Sequence, residues 1–148
     1  MSYLEHEKAL IKWKIHLKKS CEYVYQFLNT ESRRKRFWAE NVPEKDGIIH
    51  FTFLNNYQWK GKILEREENK KISMEYIDRS IATFSLEKGH EGGTILTLED
   101  TGIPNEYYEE VNAGWVSVLM NLKAQVEYNV DLRNHDEKRT WEEGFCDN

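Results

Sequence analysis

Five histidines, His6, His16, His50, His90 and His135, are the residues best suited by type to proton transfer or metal ligation, and their spacing supports neither. No two of them have the helical or short-loop separation that a zinc site needs. His16 and His50 also fall on the polar parity of their strands, which places them at the surface. Ser85 and Ser117 lie in no nucleophile elbow and have no evident triad partner. Cys21 and Cys146 lack metal or redox spacing and read as reduced thiols rather than a disulfide. Glu99 and Asp100 end a strand. Glu106, Glu109 and Glu110 crowd the first turns of a helix, where carboxylates favour the helix dipole and need no catalytic explanation. The run Arg33, Arg34, Lys35 and Arg36 reads as a solvated helix face. These groups imply no cofactor, no metal and no catalytic constellation.

The aromatic residues are more informative. Trp13, Phe51, Phe53, Trp59, Tyr76, Phe84 and Trp115 all fall on the apolar parity of a strand or on the apolar stripe of a helix, so each is expected to face inward. Two readings stand side by side: a filled core, or the wall of a pocket for an apolar molecule. Tyr76, Thr83 and Trp59 would then offer polar handles within an apolar wall. The candidate ligand-contacting set is Phe51, Phe53, Trp59, Met74, Tyr76, Phe84, Leu98, Trp115 and Leu119.

The elements that must position these residues follow from periodicity. Ile11, Trp13, Ile15 and Leu17 alternate with Lys12, Lys14 and His16, which predicts a strand over Ala9 to Leu17. Ser20 caps a short helix with Val24, Phe27 and Leu28 on its apolar side, and a second short helix runs from Arg33 to Trp38. Pro43 ends any continuation. Alternation then resumes through Ile49, Phe51 and Phe53, through Tyr57, Trp59, Gly61 and Ile63, through Ile72, Met74 and Tyr76, through Ala82, Phe84 and Leu86, and through Leu96 and Leu98. The short polar connections favour an antiparallel meander whose last strand pairs with the first.

After Gly102 and Pro104, Val111, Trp115, Val118, Leu119, Leu122 and Val126 form one stripe of a helix from about Asn105 to Tyr128. At about 1.5 Å per residue it is roughly 35 Å long, enough to cross a curved sheet. Gly114 inside this helix costs about 1 kcal/mol relative to alanine. It is read as a close approach of the helix to a strand, Trp115 or Trp59, with room for a ligand as the alternative.

A chain of 148 residues is expected to form a single domain, with 131–148 a polar tail that carries Leu132, Trp141 and Phe145. That tail is expected to fold back on the body, with closure of a cavity mouth and dimer formation as alternatives. Aromatic residues reach 13% beside 32% charged residues, a composition that builds an aromatic interior under a solvated exterior. A net charge of -5 argues against nucleic acid as a partner. Met1 to Lys8 carries no apolar signal region and no segment is long enough to span a bilayer, so the expected location is cytoplasmic.

Gly61, Lys62, Ile63, Leu64 and Glu65, then Gly93, Thr94, Leu96 and Leu98, then Gly102, Ile103 and Pro104, and finally Gly114, Trp115, Leu122, Lys123 and Glu127 resemble the START-like (SRPBCC) superfamily. The closest branch is that similar to the activator of the heat-shock protein 90 ATPase. The resemblance covers roughly Ala9 to Glu127. It implies an α+β helix-grip fold, a curved antiparallel sheet of about six strands around a long C-terminal helix, with two short helices after the first strand. It also implies three functions: binding of an apolar or amphipathic small molecule between sheet and helix, a protein-binding module that contacts a chaperone through a surface and has only a small cavity, and a cyclase-type enzyme with a titratable group inside the cavity. The first is the leading expectation, with the protein a monomer or homodimer.

Overall fold

The structure, a computed structural model, describes residues 9–148. The expectations for His6 and for Met1 to Lys8 fall outside these residues. One seven-stranded sheet runs in the order β1-β7-β6-β5-β4-β3-β2, every pairing antiparallel. Its strands are β1 (Ala9–Leu17), β2 (Glu44–Lys45), β3 (Ile48–Thr52), β4 (Gln58–Glu67), β5 (Lys71–Glu75), β6 (Ile81–Lys88) and β7 (Thr94–Ile103). The strand beyond the expected six is the two-residue β2, too short to leave a periodic signal. First and last strands pair as expected, Trp13 opposite Leu98 and Leu17 opposite Thr94.

Between β1 and β2 lie α1 (Cys21–Asn29) and α2 (Glu31–Arg34). Ser20 caps α1 by accepting the Tyr23 backbone N–H at 3.2 Å. The second helix is shorter than the sequence suggests. It unwinds after Arg34, and the turn that follows drives Phe37 and Trp38 into the core. Arg34 is a correction to the solvated-face reading. It is 0% exposed, donates to the Leu28 carbonyl at 3.1 Å, and pairs with Glu44 on β2 at 2.9 Å.

After β7, a 3₁₀ turn at Asn105–Tyr107 leads into α3 (Tyr108–Tyr128). The whole predicted stripe from Val111 to Val126 is buried. It lies on the inward face of the sheet made by Ile72, Met74, Ala82, Phe84, Leu96 and Leu98, which gives the helix-grip arrangement. Gly61 shows how closely β4 is packed. A Cβ there would lie 2.8 Å from the Glu75 carbonyl oxygen and 2.9 Å from the Phe51 ring, so only glycine fits under that ring.

Trp13 departs from the expectation that it faces the core. It is 41% exposed, and its indole donates to Asn112 on α3 at 2.8 Å. β1 is the outer strand of the sheet, so the inward side of its centre meets the flank of α3 instead of a second layer. Among the described residues, no helix is long and apolar enough to cross a membrane.

Candidate functional site

A cavity of about 960 Å³ opens beside α3. Val111, Gly114, Trp115 and Val118 of the helix form one wall, and Phe53, Trp59 and Tyr76 from the far half of the sheet form another. Trp38, delivered by the turn after α2, supplies the floor. Volumes of a few hundred to about 1,000 Å³ are typical of small-molecule sites.

Ring packing fixes these walls. Trp59 stacks on Phe53 with centroids 4.5 Å apart, and its other side meets Tyr76 edge-on at 5.3 Å. Tyr76 lies 4.6 Å from Trp115. Trp38 touches Phe51, Tyr76, Phe84 and Trp115, and its indole donates to the Tyr76 hydroxyl at 2.9 Å. The Tyr76 hydroxyl is thereby committed as an acceptor, and burial pushes its pKa far above the usual tyrosine range. Trp59 Nε1 lies beside that hydroxyl but is buried without a well-formed hydrogen bond of its own.

The structure divides the candidate set in two. Phe53, Trp59, Tyr76 and Trp115 line the cavity, whereas Phe51, Met74, Phe84, Leu98 and Leu119 are buried beneath it and do not. Both sets share one parity, and periodicity does not record which inward residues a neighbouring ring will cover. Thr83 is no polar handle, because it sits between the inward Ala82 and Phe84 and therefore on the opposite face.

Gly114 corrects a second reading. Among the described residues no strand comes within 4 Å of a Cβ placed there, which would meet Trp141 Cη2 at 3.8 Å. The glycine therefore opens space at the cavity, and the space is bounded by the tail. Residues 131–148 do fold back: Arg133, Trp141, Glu142 and Asn148 complete the lining, and Glu142 accepts from Asn55 at the β3–β4 turn at 3.0 Å. This is the expected fold-back, and it brings the tail's Trp141 to the cavity.

Asp100 does not end its strand: it lies within β7, which continues to Ile103, and it is fully buried. Its Oδ2 accepts the Trp115 indole N–H at 2.7 Å, and the Ser80 hydroxyl lies beside it. Burial raises its pKa, against the pull of these two donors. The alternation of β7 would have found it, since Asp100 shares the inward parity of Leu96 and Leu98. It sits behind the Trp115 ring and is not part of the cavity lining. The carboxylates that do line the cavity, Glu40, Glu110 and Glu142, lie on separate elements. Among the described residues, no group of three or more His, Cys, Asp and Glu side chains gathers as a metal site would require.

This architecture can be set against known proteins. Residues 18–127 match the family described as activator of Hsp90 ATPase homolog 1-like protein. The chain belongs to that family. The Aha1 dimer of Colwellia psychrerythraea superposes with a TM-score of 0.72 at 22% identity, covering 81% of this chain and 97% of that one. Protein SSP2350 of Staphylococcus saprophyticus gives 0.72 at 21%, covering 84% and 96%. DynU16, described as a putative protein in the dynemicin biosynthetic locus, gives 0.70 at 14%, covering 82% of this chain and 48% of its own. At these identities the likeness establishes the fold alone. No curated protein matches the chain. The folded-back tail lies beyond the residues matched to the family.

Proposed function

We propose that this member of the activator of Hsp90 ATPase homolog 1-like family binds an amphipathic small molecule in the cavity between α3, the β3–β4 hairpin and the tail. The observation that carries the reading is a cavity of about 960 Å³ walled by Phe53, Trp59, Tyr76 and Trp115, rings already fixed by one another and by hydrogen bonds. Such walls need no rearrangement to receive an apolar body, which lowers the cost of binding.

The charges around the cavity support a preference for the ligand's polar end. Glu40, Glu110 and Glu142 line it, and among the described residues the one lining guanidinium, Arg133, is spent on Asp131 and on the Lys35 and Ala39 carbonyls. Aromatic faces are themselves electronegative. An uncharged or cationic head is favoured over a carboxylate. Native mass spectrometry of protein purified from its own host tests occupancy directly. Titration with naphthalene bearing an ethylammonium, a hydroxyethyl or an acetate side chain tests the preference: the acetate should bind weakest, and binding of none of the three would refute the site.

A second reading, a protein-binding module, is supported by a different surface. Trp13, Val116 and Met120 are exposed, with Trp13 bonded to Asn112 one turn from Val116. This stripe suits a chaperone or a second copy of the chain, although the cavity is larger than that reading expects. Pull-down with a chaperone middle domain at physiological salt, and the oligomeric mass of Met120→Glu, test it.

A further inference from the structure

The tail is held to the body very unevenly along its length. At its root, Asn129 turns the chain out of α3 in a left-handed conformation and its side chain accepts from Arg36. Arg133 follows, with a side chain only 6% exposed that donates to Ala39 O at 3.0 Å, Lys35 O at 2.9 Å and Asp131. That is a firm anchor. From Asn134 onward the segment closes on itself instead, Asn134 N donating to Asp147 O at 2.7 Å and Trp141 N to Asn148 Oδ1 at 3.2 Å. Its hydrogen bonds to the body are made by exposed side chains, His135 with Glu40 and Glu142 accepting from Asn55. Its apolar hold at the cavity is Trp141, against Gly114.

We propose that residues 134–148 are a lid on the cavity, supplying Trp141 as a ligand-contacting wall and latched by His135 between Glu40 and Asp131. The Trp141 role rests on the binding function proposed above, whereas the latch does not. Both His135 ring nitrogens lie 2.7 Å from carboxylate oxygens, Nδ1 from Glu40 and Nε2 from Asp131. A neutral imidazole has one N–H and can satisfy only one of them. The other contact would set a nitrogen lone pair against a carboxylate. The latched geometry therefore belongs to the imidazolium, and losing its proton costs the lid one of its straps.

The groups facing His135 are Glu40 from the body, and Asp131 and Arg133 from the tail root. The bond to Asp131 raises the His135 pKa, burial opposes it, Glu40 raises it further and the Arg133 charge lowers it, with a net upward shift from 6.5. The latch is thus closed in mildly acidic solution and released as pH rises through this raised value. Glu40 also lines the cavity, so release changes the charge presented to a ligand as well as the closure.

Hydrogen exchange followed by mass spectrometry, at about pH 5.5 and about pH 8.5 and corrected for intrinsic rates, reads the latch without any ligand. Protection of 134–148 should fall about two- to fivefold at the higher pH, the span an exposed ion pair supports, while α3 is unchanged. His135→Gln should abolish that difference. Equal protection at both pH values in the unaltered protein, or a pH response kept by His135→Gln, would overturn the latch. Nile red, an uncharged dye, reads the wall: it should bind Trp141→Ala more weakly than the unaltered protein, with α3 protection intact. Equal binding would remove Trp141 from the wall, whereas no dye binding to either protein would count against the binding function and leave the exchange result to decide the lid.

Discussion

Asp100 on β7 and Trp115 on α3 are joined by a hydrogen bond of 2.7 Å, a carboxyl oxygen holding an indole N–H where both side chains are out of contact with water. The bond ties sheet to helix at the back of the cavity and fixes the ring that forms its wall. Burial raises the Asp100 pKa, so the folded protein favours the protonated form more than the unfolded chain does. The sign follows by linkage: the stability this group contributes is complete below the unfolded aspartate pKa and is lost as pH rises through the raised folded value. Asp100→Asn keeps an acceptor for Trp115 without the charge. It should match or exceed the parent in melting temperature at neutral pH and flatten the pH dependence above the ordinary aspartate range. Asp100→Leu strands the indole N–H and should cost about 1–3 kcal/mol.

Phe84 and Phe53 separate core from wall. Phe84 is fully buried against Trp38 and Trp115, and Phe84→Ala should cost about 3–5 kcal/mol in denaturant unfolding. Phe53 is half-buried and stacked on Trp59 at the cavity, so Phe53→Ala should cost about 1–2 kcal/mol yet weaken naphthalene binding at least as much as any core change. Equal stability losses with unaltered binding would show that Phe53 is core too.

Gly114→Ala reports on the space beside the helix. The new Cβ meets only the rim of the Trp141 ring at an ordinary contact distance of 3.8 Å, and alanine recovers about 1 kcal/mol of helix propensity. The melting temperature should rise. Gly114→Leu fills the gap instead, and it should weaken ligand binding and expose Trp141 to acrylamide quenching while the helix remains folded.

Most of the fold was legible because its signals are local. The alternation from Ile11 to Leu17 gave β1, the Ser20 cap gave α1, and the stripe from Val111 to Val126 gave α3 and the face it buries. The site was legible only as a set of inward aromatics. Whether Phe51 is covered and Trp59 is open depends on Trp38, brought by the turn after α2, and on Tyr76, just past β5, and no spacing within a strand records that. The burial of Asp100 and of Arg34 is illegible for a common reason. Each is a residue type whose usual place is the surface, and its partner, Trp115 or Glu44, lies on a distant element, whereas Trp141 was legible as a tail aromatic that folds back but not as the neighbour of Gly114.

Glu44 is where that blindness has the largest energetic consequence. It receives two guanidiniums, Arg34 at 2.9 Å and Arg66 at 2.9 Å, and so locks α2, β2 and β4 together beside the core. Burial works to raise its pKa, but the bonds from Arg66 and Arg34 prevail and hold the carboxyl below the ordinary glutamate range. The linkage is therefore opposite to that of Asp100. Stability from Glu44 is fully present above the unfolded glutamate pKa and is lost as pH falls through the depressed folded value, the acid limb of the unfolding curve. Glu44→Gln leaves the Arg34 charge buried without its counter-ion. The loss should be about 2–4 kcal/mol, somewhat under the roughly 3–5 kcal/mol of a wholly buried pair because the Glu44 side chain retains 22% exposure. Double substitution to Arg34→Met with Glu44→Gln should recover most of it, since the stranded charge and not the missing attraction is what destabilises the single variant. Urea unfolding of the parent, both singles and the double at neutral pH completes the cycle, and a double variant no more stable than Glu44→Gln would contradict the account.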